Sequence, residues 1–582
     1  MVNFAIQPEL MNTSVSKVIS FLTPESKQLL YTSVLEIPSS VSEDDLEQSE
    51  GPIRHSTVKL SDLYKTEFRL DAEFNIATRL GGNELQDLED SGLETKQLYG
   101  DNGFCEATFY SSRFNRVYVE NNEHGVPFLS SSEIISFRPE TSRYLSRKNI
   151  PDLEKLLIQK WDILISRSGA VGNVGLATGY FAGKALSEDT IRLRVNDADT
   201  AGYITAFLRS RYGRPQLTKL VYGSVISTVE LEHLERVLIP DLPPIRQIAI
   251  GRLMCKAGEL RDEANRFLDE ADQLLHERLN LPYLKSIAPN GNASAIAKIK
   301  ASQLMGRLEG SFHDPVAIAA EKQLSELSVE MTTIGDSRVT KEVRAITKFR
   351  KRTYVEKGGI PLLSSKQLFQ IDPIDVKGLA KGAHTKDLPE IQLEENMIAV
   401  TCSGTIGRVQ IIPAYMAKWT ANQHATRFLA AEGMNAGYLY AWLASDYGYC
   451  LITRNSYGSV ILEVGKEMFS SVPVPLPAPK IRDEIGNLVL KANQLRDEAW
   501  RNEQEAITRL ENWIMNKPTA PAQDESDPNK VSLKDIRYDP NAIPIWELAA
   551  RISAKVPNEE WAKLPSDLSQ RFDYYQGLRD DS

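Results

Sequence analysis

The chain has 582 residues, a net charge of −10, 42% hydrophobic and 25% charged residues. That is the balance of a soluble globular protein with room for two to four domains, each with its own core. No run approaches the roughly 18 apolar residues that cross a bilayer, and the acidic balance argues against a chain that coats its whole surface with nucleic acid.

The amino terminus, Met1 to Pro8, lacks a basic region followed by a long apolar core, so no signal peptide is expected. Cys105, Cys255, Cys402 and Cys450 lie far apart with no paired ligand spacing. That argues against a zinc site or a disulfide framework and points to reduced thiols in the cytoplasm. Residues 1–52 read as a partly helical leader that ends in acidic sequence, Glu43 to Glu50.

From Ile53 the chain is written twice, about 235 residues apart. Val126-Pro127-Phe128-Leu129-Ser130-Ser131 returns as Ile360-Pro361-Leu362-Leu363-Ser364-Ser365, and Ser168 to Gly172 as Ser403 to Gly407. Tyr222-Gly223-Ser224-Val225 returns as Tyr457-Gly458-Ser459-Val460, and Leu260-Arg261-Asp262-Glu263-Ala264 returns letter for letter as Leu495 to Ala499. The period is too long for a solenoid repeat, so a whole domain is duplicated. Each copy holds short β-rich runs, such as Trp161 to Ser166 and Asn396 to Thr401, that predict strands of a mixed or antiparallel sheet. Segments 201–221 and 436–456 predict helices, which makes each copy an α+β domain.

A proline-rich exit follows each time, Ile239 to Pro244 and Val472 to Pro477, as a rigid lead-in to a long helix. The first helix has an apolar seam Ile250, Leu253, Ala257, Leu260, Ala264, Phe267, Ala271, Leu274; the second runs Ile485, Leu488, Ala492, Leu495, Ala499, and weakens at Asn502 and Arg509. Two such helices bury their seams by pairing as an antiparallel coiled coil. About thirty residues make a rod of roughly 45 Å, with one globular domain expected at each end. The expected organisation is therefore a leader (1–52), a first repeated domain (53–245), a central helix and linker (246–290), a second repeated domain (291–480), a distal helix (481–516) and an acidic tail with a possible docking element (517–582).

Several motifs bear on chemistry. The Ser-Gly-x-x-Gly loops have two readings, a backbone-amide and serine approach to phosphate, or a hairpin that needs glycine's positive φ. They are no P-loop, because the Gly-Lys-Ser/Thr ending is absent. The Tyr-Gly-Ser loops suit a sugar, phosphate or base-edge contact, or a plain turn with a packed tyrosine. Between Arg338 and Lys357 eight cations face only Glu342 and Glu356. Its core, Lys348-Phe349-Arg350-Lys351-Arg352, matches Arg113-Phe114-Asn115-Arg116 in the first copy and is the most nucleic-acid-like composition in the chain. No metal spacing among the seven histidines and no nucleophile with a partner is evident, so the chain reads as a binder without a catalytic site. The DNA-contact candidates are Arg113, Arg116, Arg167, Ser168, Tyr222, Ser224, Lys348, Arg350, Lys351, Arg352, Ser403, Tyr457 and Ser459.

The strand followed by Ser-Gly-x-x-Gly, the Tyr-Gly-Ser loop, the proline exit with Arg246-Gln247-Ile248 and the long helix recur in one order in both copies. By these marks, over roughly residues 55–515, the chain resembles the specificity subunit of type I restriction-modification systems. The resemblance implies two target-recognition domains, each reading half of a bipartite double-stranded DNA site, with half-sites about one helical turn apart. It also implies methyltransferase subunits docked on the helices, at Leu253, Leu260, Phe267, Leu274, Leu488 and Leu495. Their S-adenosylmethionine would act at adenine, no cofactor is expected in this chain, and a translocating restriction subunit could join. The leader, the tail and Lys480-Ile481-Arg482-Asp483 in the second exit depart from the pattern. A divergent nuclease and a paired-domain scaffold that binds no DNA remain as alternatives.

Overall fold

A computed structural model of the chain describes residue 88 and residues 90–515, apart from 101, 106, 112, 121–122, 151–152, 169–170, 220–227, 288–298, 302–303, 305, 346–351, 356–357 and 459–460. The chain divides into two units, Met1–Lys517 and Pro518–Ser582, and every described residue belongs to the first. The expected leader and tail lie outside the described residues.

The first copy contains β1 (Thr95–Gln97), β2 (Ala107–Phe109), β3 (Tyr118–Val119), β4 (Gly125–Leu129), β5 (Tyr144–Ser146), β6 (Ile163–Ser166), β7 (Val174–Leu176), β8 (Ala185–Leu186), β9 (Thr190–Arg194) and β10 (Leu238–Pro240). They form an antiparallel sheet in the order β2-β9-β6-β7, a mixed sheet β3-β5-β4-β8 in which β4 and β8 are parallel, and the pair β1-β10. Strand β6 is buried along its whole length, which is why Ile163-Leu164-Ile165 reads as an unbroken apolar run and not as an alternation.

Two helices follow, α1 (Ala198–Arg209) and α2 (Gly213–Lys219), then the long α3 (Pro244–Leu279). The single helix expected over 201–221 is thus broken, because Ser210 caps the turn: its Oγ donates to the Phe207 carbonyl at 2.6 Å and accepts from the Tyr212 and Gly213 amides at 3.2 Å. Pro244 opens α3, where its missing N–H costs nothing. Asn280, left-handed at φ 52°, closes it, with the Leu281 amide on the His276 carbonyl at 2.9 Å.

The second copy repeats this after a leading helix α4 (Pro315–Ser325). Its strands are β11 (Glu330–Thr333), β12 (Thr340–Arg344), β13 (Tyr354–Val355), β14 (Ile360–Leu363), β15 (Lys377–Leu379), β16 (Ile398–Thr401), β17 (Val409–Ile411), β18 (Thr420–Ala421), β19 (Ala425–Ala430) and β20 (Pro473–Leu476). Their sheets are β12-β19-β16-β17, β13-β15-β14-β18 and β11-β20, the order of the first copy strand for strand. Helices α5 (Ala436–Ala444) and α6 (Asp446–Thr453) break at Ser445 as α1 and α2 do at Ser210, and α7 (Pro479–Met515) closes the copy. The α+β architecture expected from the sequence, two tandem domains each followed by a long helix, is the one found.

Each long helix is gripped by its own domain through a pair of glycines. A Cβ on Gly202 would stand 2.3 Å from the Gly251 carbonyl oxygen, and one on Gly437 would stand 2.1 Å from that of Gly486. The backbones of α1 and α3, and of α5 and α7, approach so closely that no side chain fits between them.

Helices α3 and α7 run side by side and antiparallel. Arg246 lies over the Trp513 ring, Arg261 pairs with Glu503, and Arg278 pairs with Glu484, so positions rise along one helix as they fall along the other. At about 1.5 Å per residue each helix is roughly 54 Å long.

The expected seam is shifted. On α3 the buried positions are Ile250, Met254, Ala257, Leu260, Ala264, Leu268, Ala271 and Leu275, while Leu253, Phe267 and Leu274 are half-buried. On α7 they include Ile485, Val489, Ala492, Leu495, Ala499, Glu503, Ala506 and Leu510, while Leu488 is half-buried. Asn502 and Arg509 fall off the buried face, so they do not interrupt it. Each helix packs against both its partner helix and a domain, which makes its buried face wider than a two-stranded seam and moves its centre.

Each domain grips the start of its own helix and the helices are antiparallel, so one domain lies toward each end of the rod, but the rod does not hold them apart. The two copies meet. The Phe137 amide donates to the Phe369 carbonyl at 3.0 Å and the Ile371 amide to the Ile135 carbonyl at 2.8 Å. Around this bridge one apolar cluster draws Leu129, Ile134, Ile135 and Phe137 from the first copy and Leu363, Leu368, Phe369 and Ile371 from the second. Phe137 and Ile371 are equivalent positions, as are Ile135 and Phe369. The contact is therefore isologous, and the copies are related by a pseudo-two-fold axis, as in a symmetric dimer fused into one chain.

That axis explains the five-residue identity. Three residues on from Arg261, and four back from Glu503, lie Ala264 and Ala499, both fully buried where the helices come level. Asp262 binds its own domain, accepting from the Gly179 amide at 2.7 Å and the Tyr180 amide at 3.2 Å, and Asp497 accepts from the Tyr415 amide at 2.7 Å. Leu260 and Leu495 are buried, and Arg261 and Arg496 lie inside the junction.

Candidate nucleic-acid interface

The two loop motifs of the second copy are joined. Ser403 and Tyr457 each bridge to Glu463, and Tyr457 and Glu463 exchange both backbone hydrogen bonds at 2.9 and 2.8 Å. In the first copy Ser168 bridges to Thr228, the equivalent of Glu463. The Gly404 amide donates to the Leu462 carbonyl at 3.0 Å, and Gly404 and Gly407 have φ of +75° and +82°. These glycines thus serve the turn itself, and the turn also lays Ser403 beside the Tyr457 loop.

Tyr457 is 42% exposed, with Ile461 and Leu462 exposed next to it. The strip that results carries a hydroxyl, a phenol and two aliphatic side chains on one surface. Tyr222, Ser224 and Ser459 lie outside the described residues.

Of the basic candidates, two are paired with carboxylates within the protein. Arg116 Nη2 donates to both oxygens of Glu188, at 2.5 and 2.6 Å, and its guanidinium lies 5.2 Å from the Phe128 ring centre. The hydrogen bond to Glu188 raises its pKa, and Arg116 holds the Glu188 carboxyl below its usual range against the opposing effect of burial. Arg167 pairs with Glu230 and lies 4.4 Å over Tyr110, whose hydroxyl donates to the same carboxylate at 3.0 Å. Burial and the Glu230 hydrogen bond both raise the Tyr110 pKa.

Arg113 is exposed and lends positive potential to Glu188. Arg352 donates to Gln423 Oε1 at 2.6 Å. Lys348, Arg350 and Lys351 lie outside the described residues.

Neither Glu188 nor Glu230 stood among the sequence candidates. Each lies 63 or more residues from the arginine it neutralises, and no local pattern signals such a pair. The cysteines are free, and burial pushes the thiols of Cys105 and Cys255 up to about 12, far from a thiolate at neutral pH. Among the described residues no group of His, Cys, Asp and Glu is placed to hold a metal ion, and no helix is long and apolar enough to cross a membrane.

Residues 338–491, most of the second copy, match the family model "Type I restriction modification DNA specificity domain". No curated protein matches. Several solved structures are similar, among them these three. The type I restriction-modification S subunit from M. genitalium is 12% identical, covering 72% of this chain and 98% of that one, with a TM-score of 0.26. The HsdS subunit from Thermoanaerobacter tengcongensis is 13% identical over 72% and 100%, with a TM-score of 0.23. A chain from a study of complex assembly and conformational transition of the type I R-M system is 14% identical over 69% and 95%, with a TM-score of 0.23. The chain resembles the specificity subunit of type I restriction-modification systems, and its second copy matches that family's DNA specificity domain.

Proposed function

We propose that this chain is a DNA sequence-specificity subunit that reads a bipartite site, one half with each copy. The observation that carries this reading is the pseudo-two-fold relation of two like domains, with the Ser-Gly-x-x-Gly and Tyr-Gly-Ser loops joined in the second copy. Two readers fixed about such an axis meet two separated stretches of a duplex, and the helical pair sets the distance between them. The match of residues 338–491 to a DNA specificity domain supports it. In this reading Tyr457, Ser403, Ser168, Arg113, Arg352 and the Lys348–Lys351 stretch approach DNA, while Arg116 and Arg167 hold the loops that present them.

The exposed flanks of α3 and α7 are the seat for methyltransferase subunits, which bring S-adenosylmethionine, with a restriction subunit as a further possible member. Leu253, Phe267, Leu274 and Leu488, half-buried against this chain, retain apolar surface for such a partner; Leu260 and Leu495 are buried in the helical pair. The reading is tested by selecting binding sites from random DNA with the full chain and a methyltransferase encoded beside it. A two-part motif with a fixed gap is expected. A contiguous motif, or none, overturns the reading.

A further inference from the structure

The pseudo-two-fold axis makes every feature at the junction a pair, and one pair is unequal. On one side of the axis Arg261 donates to Glu503 from Nη1 and Nη2, at 2.5 and 2.6 Å, and Arg209 Nη1 donates to the same carboxylate at 2.6 Å. Arg214 and Arg209 also face Asp372. The space left there is about 20 Å³, too small for anything but a water.

On the other side the equivalent positions read differently. Arg261 becomes Arg496, but Glu503 becomes Leu268, Arg209 becomes Ala444, Arg214 becomes Tyr449 and Asp372 becomes Arg138. Glu503, Asp372, Arg209 and Arg214 have no counterparts of their kind there, and a cleft of about 1070 Å³ stands in their place; of the carboxylates that line it, Glu140 and Asp269 pair with Arg138, Glu133 faces Arg143, and Asp272 and Asp446 face His276.

Arg496 lines this cleft and is 2% exposed. The groups in contact with it are neutral, Gln410 Oε1 at 3.2 Å, the Tyr440 hydroxyl, and the Phe137 ring, whose centre lies 4.9 Å from the guanidinium carbon, and the nearby Arg138 adds a second positive charge. No carboxylate of the described residues pairs with it. The Nε of Arg496 and that of Arg261 both lack a hydrogen-bond partner, so what separates the two arginines is the missing carboxylate. Burial lowers the pKa of Arg496, whereas Glu503 keeps that of Arg261 raised against the same burial.

A second cation lies on the same wall. Arg408, two residues before Gln410, stacks 4.1 Å over the Phe369 ring, and among the described residues it makes no ion pair, although the charges of Glu133 and Glu140 reach it. Arg138 is already committed to Asp269 at 2.6 Å and to Glu140.

We propose that the cleft between the two copies is a binding site for a small anionic molecule. Its carboxylate or phosphate sits on Arg496, in the place that Glu503 occupies on Arg261. Leu268 stands at that position without a carboxylate, Arg408 adds charge from the same wall, and the Tyr440 and Tyr449 side chains border the cleft. A cleft of this size suits an organic ligand. A buried arginine without a counter-ion is the group that most gains from one. The inference does not depend on DNA recognition and would stand if that reading failed.

The test uses the full-length chain in calorimetric titrations at constant ionic strength, with inorganic phosphate, citrate and ATP in separate arms. One-to-one binding in at least one arm is expected, and the arm identifies carboxylate, phosphate or nucleotide as the anion. Arg496→Gln should weaken that binding at least about tenfold. Leu268→Glu is the sharper variant, because it copies Glu503, supplies the carboxylate internally and should abolish binding while raising the melting temperature. Lys341→Gln, remote from the cleft, should change nothing. If no arm saturates, or if Leu268→Glu folds and still binds as the parent does, the proposal is overturned.

Discussion

Phe137 and Ile371 are copies of one another, and each donates its amide hydrogen to the carbonyl of the residue two before the other, Phe137 to Phe369 at 3.0 Å and Ile371 to Ile135 at 2.8 Å. The reciprocity makes the contact between the copies specific in register, because neither bond can shift without breaking its mate. Phe137 also supports Arg496 with its ring face. Replacing Phe137 by Ala removes a 4%-exposed ring from the shared cluster, and a loss of about 3–5 kcal/mol is expected. Urea unfolding at neutral pH measures it. A cost below about 1 kcal/mol would show that the copies hold together without this cluster.

Glu503 holds two buried arginines, so its loss leaves Arg261 uncompensated and Arg209 with only Asp372, 3.8 Å away. Glu503→Gln should cost about 3–5 kcal/mol. Burial alone would raise the carboxyl's pKa, but Arg261 and Arg209 hold it below the usual value. A depressed carboxylate contributes stability that is present above its unfolded pKa and lost as pH falls through the folded one. The gap in urea midpoint between the parent and Glu503→Gln should therefore be full at pH 7 and close only well below pH 4.5. A gap that is constant with pH would assign the effect to shape and not to charge.

The duplication was legible because both copies keep their turn and exit residues: Ser-Gly-x-x-Gly, Tyr-Gly-Ser and the prolines fix backbone geometry, and backbone geometry is repeated. The long helices were legible by their apolar periodicity, but the phase was not. Leu253 and Met254 are both apolar, and only packing against a domain as well as a helix selects Met254. The fates of Arg116 and Arg167 were hidden for another reason: their carboxylates, Glu188 and Glu230, come from distant strands and turns. The exchange of Glu503 for Leu268 was visible in the text of the repeat. It acquired meaning only once Arg261 and Arg496 were found on opposite sides of one axis.

His276, near the end of α3, is the group at the junction poised to titrate near neutrality. Its Nε2 lies 3.4 Å from Asp446 and 3.9 Å from Asp272, its Nδ1 lies 3.0 Å from the Leu281 carbonyl, and its ring stacks on Tyr283 at 3.9 Å and lies near Tyr447. Burial opposes its charge, but the Asp446 and Leu281 contacts prevail and raise its pKa above 6.5. A raised histidine stabilises fully below its unfolded pKa, and that contribution is lost as pH rises through the folded value. The melting temperature of the parent should fall more steeply between pH 6 and 9 than that of His276→Gln. Parallel profiles would mean that His276 carries no charge in the folded protein.

The basic candidates divide into two groups that a salt titration separates. Arg113, Lys348, Arg350 and Lys351, if they neutralise phosphates, each contribute to the release of counter-ions. Replacing any one by Gln should weaken DNA binding alike on selected and random sequence, and should reduce the slope of log K against log salt by about 1. Arg116 and Arg167 already face Glu188 and Glu230. Their replacement should leave the slope unchanged, while the freed carboxylate repels DNA and the loop loosens, which lowers discrimination between sites. The measurement is DNA binding by the assembled complex across a range of potassium chloride. Should Arg116→Gln lower the slope as Arg113→Gln does, its bond to Glu188 must open on DNA, and the guanidinium belongs with the phosphate contacts.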